Sequence, residues 1–314
     1  MSEAILKVRV PATSANLGAG FDTLGMALSL YNIVTVKRAL PPGEFIAEVS
    51  GEGAGEKSEK KPSDVKSNLI IKSYLDACSQ WGVAVPKGFE MHANNAIPMY
   101  RGLGSSASAV VSGVLIAKEL NRVDASEGEL LRVMTKIEGH PDNVAPCLLG
   151  GMTVGCWDGN DLRYVRLPSL PSDMYVVVAV PDVKVKTSDA RESLPEMVNF
   201  SDAVFNVGRS ALMAAAWATG RWDMLSWAMD DRLHQKYRAK LFPGGEVIMS
   251  RVRAIPGCMG VAISGSGPSV LALSLGKPRK VAETMCRTFS EHGIESLFFV
   301  LEGSAEGAKV EVML

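Results

Sequence analysis

The stretch Pro98-Met-Tyr-Arg-Gly-Leu-Gly-Ser-Ser-Ala-Ser108, followed by an apolar segment to Leu120, decides how the rest of the chain is interpreted. The small residues at 102–107 allow a ligand to approach the backbone closely. The Ala/Val/Leu-rich residues that follow predict a helix over 105–120. A glycine-rich turn before a helix directs free N–H groups and the positive end of the helix dipole toward one point. The stretch therefore predicts a phosphate-binding loop.

Two well-known phosphate loops fit this stretch poorly. A Walker A loop needs Gly-x-x-x-x-Gly-Lys-Ser/Thr, but no lysine follows these glycines and no such string occurs elsewhere in the chain. A dinucleotide-binding fingerprint is formally met by Gly102, Gly104 and Ala107, but Pro98 and Arg101 separate them from the preceding predicted strand. A second helix, rather than a strand, is predicted after the first. The remaining alternative is a turn of small residues that only begins a core helix.

The composition is that of a soluble globular protein. The chain has 314 residues, of which 47% are hydrophobic and 21% charged, so it can form two domains or one large one. Its formal net charge of -1 gives no electrostatic basis for a nucleic acid or an anionic membrane as the main partner. The first residues lack the apolar core of a signal peptide, and the longest apolar run, near 174–180, is too short to span a bilayer. We therefore expect a cytoplasmic protein that binds phosphate through local geometry.

The hydrophobic pattern predicts a mixture of strands and helices, with residues 168–171 as the domain boundary. Strands are predicted over 5–10, 29–38, 45–50, 89–94, 152–157, 162–167, 174–180, 269–275, 296–302 and 309–313, and a strand with a glycine loop over 261–267. Helices are predicted over 68–81, 105–120, 126–136, 201–219, 222–230 and 279–292, with a short one within 183–194. Ser67 is the predicted N-cap of the first helix, the first strand is expected to end at Pro11, and an apolar turn is expected after Asn143. The coarse pattern is α+β.

Three further segments are rich in polar groups or glycines. The segment 11–22 is either an ordinary connection or a loop that grips a ligand. Ile263-Ser-Gly-Ser-Gly267 has more small residues than a plain hairpin turn needs, which allows a ligand or another part of the chain to come close. The run Glu138-Gly-His-Pro-Asp-Asn143 carries four groups that can bind metal or protons. Beside a phosphate loop, Glu138 is the expected oxygen ligand for magnesium, although such a residue is usually only solvated, and His140 alone is more often structural.

Three separated segments of the chain together resemble the signatures of the GHMP kinases, the superfamily of galactokinase, homoserine kinase, mevalonate kinase and phosphomevalonate kinase. They are the segments 11–22, 98–108 and 263–269, and both their order and their spacing match over essentially the whole chain. The resemblance implies an α+β, two-domain fold that binds ATP. It implies a ribosomal-S5-like α/β domain over 1–168 and a ferredoxin-like α+β domain over 169–314.

Within the superfamily the sequence is similar to the homoserine kinase family. The similarity rests on the segment 13–22, on Glu138-Gly-His-Pro-Asp-Asn-Val-Ala-Pro146, on Ala190-Arg-Glu-Ser-Leu-Pro195 and on His234-Gln-Lys-Tyr-Arg238. It implies transfer of the γ-phosphoryl group of ATP to the side-chain hydroxyl of L-homoserine, on the way to threonine, and a homodimer by analogy. Two alternatives stay open: a superfamily member acting on a mevalonate-like or sugar alcohol, and a nucleotide-binding module without catalysis.

The resemblance also assigns site residues. It places the nucleotide on Asn68, Pro98, Arg101, Gly102, Leu103, Gly104, Ser105, Ser106, Ala107, Ser108, Gly265 and Gly267, and Mg²⁺ on Ser106 and Glu138. It places the amino acid on Asn16, Asp22, His140, Thr187, Arg191 and Arg238. This set suits an amino acid, because Asp22 can pair with the ammonium while guanidinium groups bind the carboxylate bidentately.

The catalytic residues are assigned on the same basis. Asn143 occupies the position where related kinases have a catalytic aspartate, so we expect it to orient the substrate hydroxyl. Asp142 is the alternative, as a base, and Arg191 is a further catalytic residue. Phosphoryl transfer mainly requires positioning and charge neutralisation, so a strong base is optional. Arg101 stands where many members have a small residue, and it is either an extra phosphate contact or a solvent-facing residue.

Overall fold

The computed structural model describes residues 5–54 and 64–313. The strands are β1 (Leu6–Ala15), β2 (Leu24–Leu40), β3 (Phe45–Gly51), β4 (Gly88–Asn95), β5 (Met152–Trp157), β6 (Leu162–Leu167), β7 (Met174–Pro181), β8 (Cys258–Ile263), β9 (Val270–Leu275), β10 (Ser296–Leu301) and β11 (Lys309–Val312). The helices are α1 (Leu69–Gln80), α2 (Ser105–Asn121), α3 (Glu127–Glu138), α4 (Pro141–Leu149), α5 (Thr187–Glu192), α6 (Phe200–Thr219), α7 (Leu225–Ala228), α8 (Gln235–Arg238), α9 (Gly245–Arg253) and α10 (Pro278–Glu291). The predicted α+β character is confirmed.

The larger sheet has the strand order β11-β1-β2-β4-β3, and β5 extends it by pairing with β2 and with β6. All its pairs are antiparallel except β3 with β4. Alternate residues of β1, such as Leu6, Val8 and Val10, are buried because this side of the sheet carries the helices α1 to α4. Val111 and Val114 of α2 lie in the same apolar core. Strand β1 and helix α2 are thereby held against each other.

The smaller sheet is antiparallel, with the order β10-β7-β9-β8. Strand β7 is an uninterrupted apolar run, because both of its faces are covered. Val176 and Val178 join a core that also contains Leu24 and Met26 of β2, whereas Val177 packs with the helices α9 and α10. A shared apolar core therefore joins the two sheets.

The C-terminal strand β11 does not stay with the smaller sheet. It pairs antiparallel with β1, with Leu6 opposite Val312, although its residues lie within the range 169–314. The segment 168–171 lies between β6, which pairs with β5 in the larger sheet, and β7, the first strand of the smaller sheet. The division into domains at 1–168 and 169–314 stays a prediction.

Three local predictions were wrong. Strand β1 does not end at Pro11 but continues to Ala15 past a register shift, because an irregularity in the ladder accommodates a residue without an N–H group. The N-cap of α1 is Asn68, whose Oδ1 accepts hydrogen bonds from the backbone N–H groups of Ile70 and Ile71, rather than Ser67. The expected turn after Asn143 is the helix α4, which Pro141 initiates at a position where its missing N–H has no cost.

The contact of α4 with β2 leaves no room for a side chain at Gly25. A Cβ atom there would lie 1.6 Å from the backbone oxygen of Asp142 and 2.9 Å from Cγ of Pro146. We expect Gly25→Ala to lower the free energy of unfolding by about 3 kcal/mol, because the helix that carries Asp142 must move away. Chemical denaturation measures this. Gly208→Ala in α6 is the control, since its Cβ would meet no atom within 4 Å apart from its own helix backbone, and its stability should be unchanged or up to about 1 kcal/mol higher. Equal stability of both variants would contradict the prediction.

Candidate active site

We call the segments 11–22, 98–108 and 263–269 the first motif, the glycine loop and the third motif. A cavity of about 510 Å³ opens between the glycine loop, the first motif and the helix α5. Its lining includes most of the residues that the sequence singled out: Asn16, Asp22, Asn68, Pro98, Arg101, Gly102, Leu103, Gly104, Ser105, Ser106, Ser108, Glu138, His140, Asp142, Asn143, Thr187, Arg191, Arg238 and Gly265. Two others lie outside it. Ala107 is buried in the core of the larger sheet, and Gly267 closes the turn of the third motif, where its N–H donates to the oxygen of Ser264. One cavity therefore unites segments that are far apart in the sequence.

The glycine loop has the geometry of a phosphate cradle. Gly104 is the N-cap of α2 in the left-handed region, and Gly102 is left-handed as well, with φ of +72°. A Cβ on Gly102 would lie 2.1 Å from the oxygen of Ser264, and one on Gly104 would lie 2.0 Å from Oγ1 of Thr13. The loop consequently admits only glycine at both positions. The first N–H groups of α2 have no carbonyl partner within the helix and are positioned to bind an anion.

The three sequence motifs meet through their backbones. The N–H of Thr13 donates to the oxygen of Leu103 at 3.1 Å, which joins the first motif to the glycine loop. The N–H of Gly265 donates to the oxygen of Ala15 at 3.2 Å, and Asn16 Nδ2 donates to the oxygen of Gly265 at 3.0 Å. These contacts hold the third motif against the first. Two of these contacts join backbone to backbone and the third comes from the Asn16 side chain, so the three loops are connected to one another.

Ser106 and Glu138 form a pair of oxygen donors beside the cradle. Ser106 is in the first turn of α2 and Glu138 is the last residue of α3, and Ser106 Oγ donates to Glu138 Oε2 at 3.0 Å. Burial raises the pKa of Glu138, although the charge of His140 and the hydrogen bond from Ser106 act in the opposite direction. The neighbours therefore do not fully compensate the carboxylate charge. A hydroxyl and an undercompensated carboxylate next to a phosphate cradle fit the oxygen preference of Mg²⁺.

Asp22 and Arg191 form a bidentate ion pair across the cavity. Both guanidinium–carboxylate distances are 2.9 Å, although 169 positions separate the two residues in the chain. Asp22 is held in a left-handed conformation, and its N–H donates to Oδ1 of Asn16. Arg191 is carried by the short helix α5, and its guanidinium lies 5.5 Å from the ring centre of Phe21. The groups predicted to bind an ammonium and a carboxylate thus pair with each other across the cavity.

Arg238 supplies a second, buried guanidinium. It is 2% exposed, its Nη1 donates to the oxygen of Gly265 at 2.9 Å, and it lies 5.0 Å from the ring centre of Phe21. Burial lowers the pKa of Arg238 to about 10, so it is still cationic at neutral pH. The adjacent His234 has a structural position, since its Nε2 lies 2.7 Å from the oxygen of Gly18.

His140, Asp142 and Asn143 form a hydrogen-bonded group at the start of α4. His140 Nδ1 is 2.5 Å from Asp142 Oδ1, and Asn143 Nδ2 donates to the same oxygen at 3.3 Å. Burial lowers the pKa of His140, but the hydrogen bond and charge of Asp142, with the charges of Glu138 and Asp22, outweigh it and raise the pKa to about 9. The imidazole of His140 is therefore mainly protonated near neutral pH.

The charged side chains of the cavity form oppositely charged pairs. Ligand atoms of Asp22, His140 and Asp142 lie within 4.8 Å of one another, which is also close enough to hold a metal ion. Each of these carboxylates already has a cationic partner, Asp22 with Arg191 and Asp142 with His140. Together with Arg238 they form a surface with acidic and basic sides a few ångströms apart. Such a surface is complementary to a small zwitterion.

The sequence interpretation missed Thr13 and gave Lys186 no role. Thr13 Oγ1 donates to Asn143 Oδ1 at 2.8 Å and thereby fixes the orientation of the Asn143 amide. Its place within the first motif was the available signal. Lys186, the N-cap residue of α5, lines the cavity beside Thr187. Asn68 also lines the cavity, and its Oδ1 caps α1.

Comparisons with known proteins agree with the fold and the motifs. Residues 68–151 match the GHMP kinases N terminal domain, and residues 213–291 match the GHMP kinases C terminal domain. A homoserine kinase of Carboxydothermus hydrogenoformans is 40% identical over 301 residues, which cover 96% of this chain and 95% of the relative. The crystal structure of homoserine kinase from Cytophaga hutchinsonii matches with a TM-score of 0.81 and 29% identity, covering 99% of this chain and 98% of that one.

More distant structures share the fold alone. Lactococcus lactis galactokinase, solved with galactose, has a TM-score of 0.71 at 14% identity and covers 97% of this chain and 95% of its own. No helix in the described ranges 5–54 and 64–313 is both long and apolar enough to cross a membrane. The resemblance inferred from the three motifs is confirmed by the full-length similarity. The chain belongs to the GHMP kinases and, within them, to the homoserine kinase family.

Proposed function

We propose that the protein transfers the γ-phosphoryl group of ATP to the side-chain hydroxyl of L-homoserine, giving O-phospho-L-homoserine on the route to threonine. The observation that carries the proposal is the proximity, in one cavity, of a phosphate cradle and the oppositely charged pair of Asp22 and Arg191. The cradle suits a nucleoside triphosphate and the pair suits an amino acid. The relatives named homoserine kinase support this choice of substrate.

The nucleotide would lie along the glycine loop. The loop residues 102–108 and the free N–H groups at the N-terminus of α2 would hold its phosphates, with Asn68, Pro98 and Gly265 on the walls around it. Ser106 and Glu138 would hold Mg²⁺, which neutralises phosphate charge when it is bound. Their closeness and the undercompensated charge of Glu138 support this assignment.

Binding of the amino acid would replace the ion pair between Asp22 and Arg191 by two ion pairs with the substrate. Its ammonium would bind Asp22, and its carboxylate would bind Arg191 and Arg238, with Asn16, His140 and Thr187 completing the site. A zwitterion can separate Asp22 from Arg191 without leaving either charge unpaired. A ligand with only one charge would leave a partner uncompensated, and this cost gives selectivity.

The substrate hydroxyl would be positioned by Asn143. The amide has one acceptor site filled by Thr13 and one donor site filled by Asp142, so each end keeps one site for a ligand. Asp142 is 2% exposed and already accepts from His140 and Asn143, which disfavours its use as a base. A strong base is optional in such a site, because phosphoryl transfer depends mainly on positioning and charge neutralisation.

Two variants test this assignment. If Asn143 orients the hydroxyl, we expect Asn143→Ala to lower kcat by roughly 10²-fold, and Asp142→Ala to lower it by no more. Circular dichroism and unfolding midpoints check that both variants are folded. A near-complete loss of kcat for Asp142→Ala alone, in a folded protein, would establish Asp142 as the base instead.

An ADP-release assay with ATP and Mg²⁺ tests the proposed function itself. L-Homoserine, mevalonate, galactose and L-serine are offered in parallel. We expect a kcat on the order of 1–100 per second with homoserine and little turnover of the others. Turnover of mevalonate or galactose instead would keep the kinase activity and overturn the substrate. Nucleotide binding without turnover of any of them would favour a binding module.

The homodimer and the cytoplasmic location stay predictions. Light scattering of the purified protein measures the oligomeric state.

A further inference from the structure

Arg101 is a buried cation inside the phosphate loop. The sequence leaves open an extra phosphate contact or a solvent-facing side chain, and the 9% exposure of the residue excludes the second alternative. Its Nη2 donates to Asp182 Oδ1 at 3.0 Å, while its Nη1 is buried without a hydrogen-bond partner among residues 5–54 and 64–313. A buried guanidinium is costly without a counter-charge, so Asp182 is important to its position.

Asp182 belongs to the other half of the molecule. It directly follows β7 of the smaller sheet, and its backbone N–H donates to the oxygen of Glu295 at 2.8 Å. The carboxylate is mostly exposed, and Asp182 is not part of the cavity wall. The ion pair therefore connects the start of the glycine loop with the end of a central strand of the smaller sheet.

The backbone on both sides of Arg101 needs such an anchor. Tyr100 adopts a φ of +57°, which costs a non-glycine residue about 1 kcal/mol, and Gly102 adopts +72°. The oxygen of Gly102 is held at 2.7 Å by Ser264 Oγ, also from the smaller sheet's side. The loop turns sharply twice within three residues. Asp182 and Ser264 hold it from the side of the smaller sheet, and the N–H of Thr13, in β1 of the larger sheet, holds it at the oxygen of Leu103.

We propose that Arg101 is a positioning residue that fastens the phosphate loop to the smaller sheet through Asp182. Nucleotide affinity then depends on Asp182, although this carboxylate does not line the cavity. The inference rests on the proposed binding of ATP to the glycine loop. It differs from a direct phosphate contact, because a guanidinium that leaves Asp182 for a phosphate would bind more easily once Asp182 is neutral.

The test compares Asp182→Asn, Arg101→Gln and the double variant. We measure MgADP binding by calorimetry, and KM for ATP, KM for homoserine and kcat by the ADP assay. Each single variant should weaken nucleotide binding and raise KM for ATP roughly tenfold, leave KM for homoserine unchanged, and show no further loss when combined. Asp182→Glu, which keeps the charge, should restore most of the affinity. A general loss of structure would move both KM values and the unfolding midpoint together.

The control is Asp173→Asn, which removes an exposed carboxylate just before the other end of β7 and should leave all values unchanged. Unchanged or tighter nucleotide binding by Asp182→Asn would overturn the inference while leaving the proposed function intact. Additive losses in the double variant would also overturn it, since they would mean that the two residues act separately. Absence of nucleotide binding by the parent protein would overturn both proposals.

Discussion

Glu138→Gln is expected to lower kcat/KM for homoserine roughly 10³-fold, because the substitution removes the carboxylate that neutralises charge beside the phosphate cradle. The free energy of unfolding should not fall together with the activity. Burial raises the pKa of Glu138, so its ionised form is less favourable in the folded protein than in the unfolded chain. The neutral glutamine should therefore leave the free energy of unfolding unchanged or slightly increase it. Steady-state kinetics and chemical denaturation of the same preparation measure both effects.

The matched control is Glu129→Gln, on the same helix α3 but away from the cavity. Its activity should match the parent protein, and its stability should fall by no more than about 1 kcal/mol, because Glu129 lies in the first turn of α3. A titration with Mg²⁺ adds a second readout, because a lost metal ligand should raise the concentration of Mg²⁺ needed for half-maximal activity. Full activity of Glu138→Gln at ordinary Mg²⁺ concentration would rule out this carboxylate as a metal ligand. A parallel loss of stability would assign it to the fold.

The second large effect is expected for Asp22→Asn. The substitution should raise KM for homoserine by a factor on the order of 10²–10³, with little change in KM for ATP. The reason is that both the substrate ammonium and Arg191 lose the carboxylate of Asp22 as their partner. The side chain remains nearly isosteric, and the hydrogen bond from the Asp22 N–H to Asn16 does not involve the carboxylate. The loop that carries Asp22 should therefore keep its shape.

A substrate analogue without the ammonium separates the two contributions. 4-Hydroxybutanoate should be phosphorylated poorly by the parent protein, because it cannot compensate Asp22 when it binds Arg191. The Asp22→Asn variant should discriminate far less between this analogue and homoserine. Asp189→Asn, an exposed carboxylate on the same helix as Arg191, is the control and should change neither KM. Tolerance of Asp22→Asn would instead favour a substrate without an amino group, such as a mevalonate-like alcohol.

Local chemistry accounts for the parts of the fold that the sequence predicted well. The hairpin of β5 and β6 has the predicted bounds, because a turn at residues 158–161 separates two alternating segments. Helix α2 begins at Ser105 as predicted, since the small residues before it can adopt the required left-handed conformations. These signals lie within a few residues of the structure that they determine.

Helix α4 and strand β1 show where local signals were insufficient. Proline is a reliable breaker of local patterns, yet Pro11 lies within β1 and Pro146 lies within α4. Pro11 lies at a register shift of the β1–β2 ladder. Pro146 packs closely against Gly25 of β2. Tertiary packing overrode the intrinsic preference in both cases.

The sequence by itself determined the class of the fold, the phosphate cradle and the residue types of the cavity, because glycine conformation and motif order can be read along the chain. Only the tertiary structure decided which charges pair. Asp22 meets Arg191 and Arg101 meets Asp182 because the shared apolar core packs the two sheets together, so that segments far apart in the sequence become neighbours. A side chain's partner at that range depends on the packing of the whole molecule, and no local pattern encodes it.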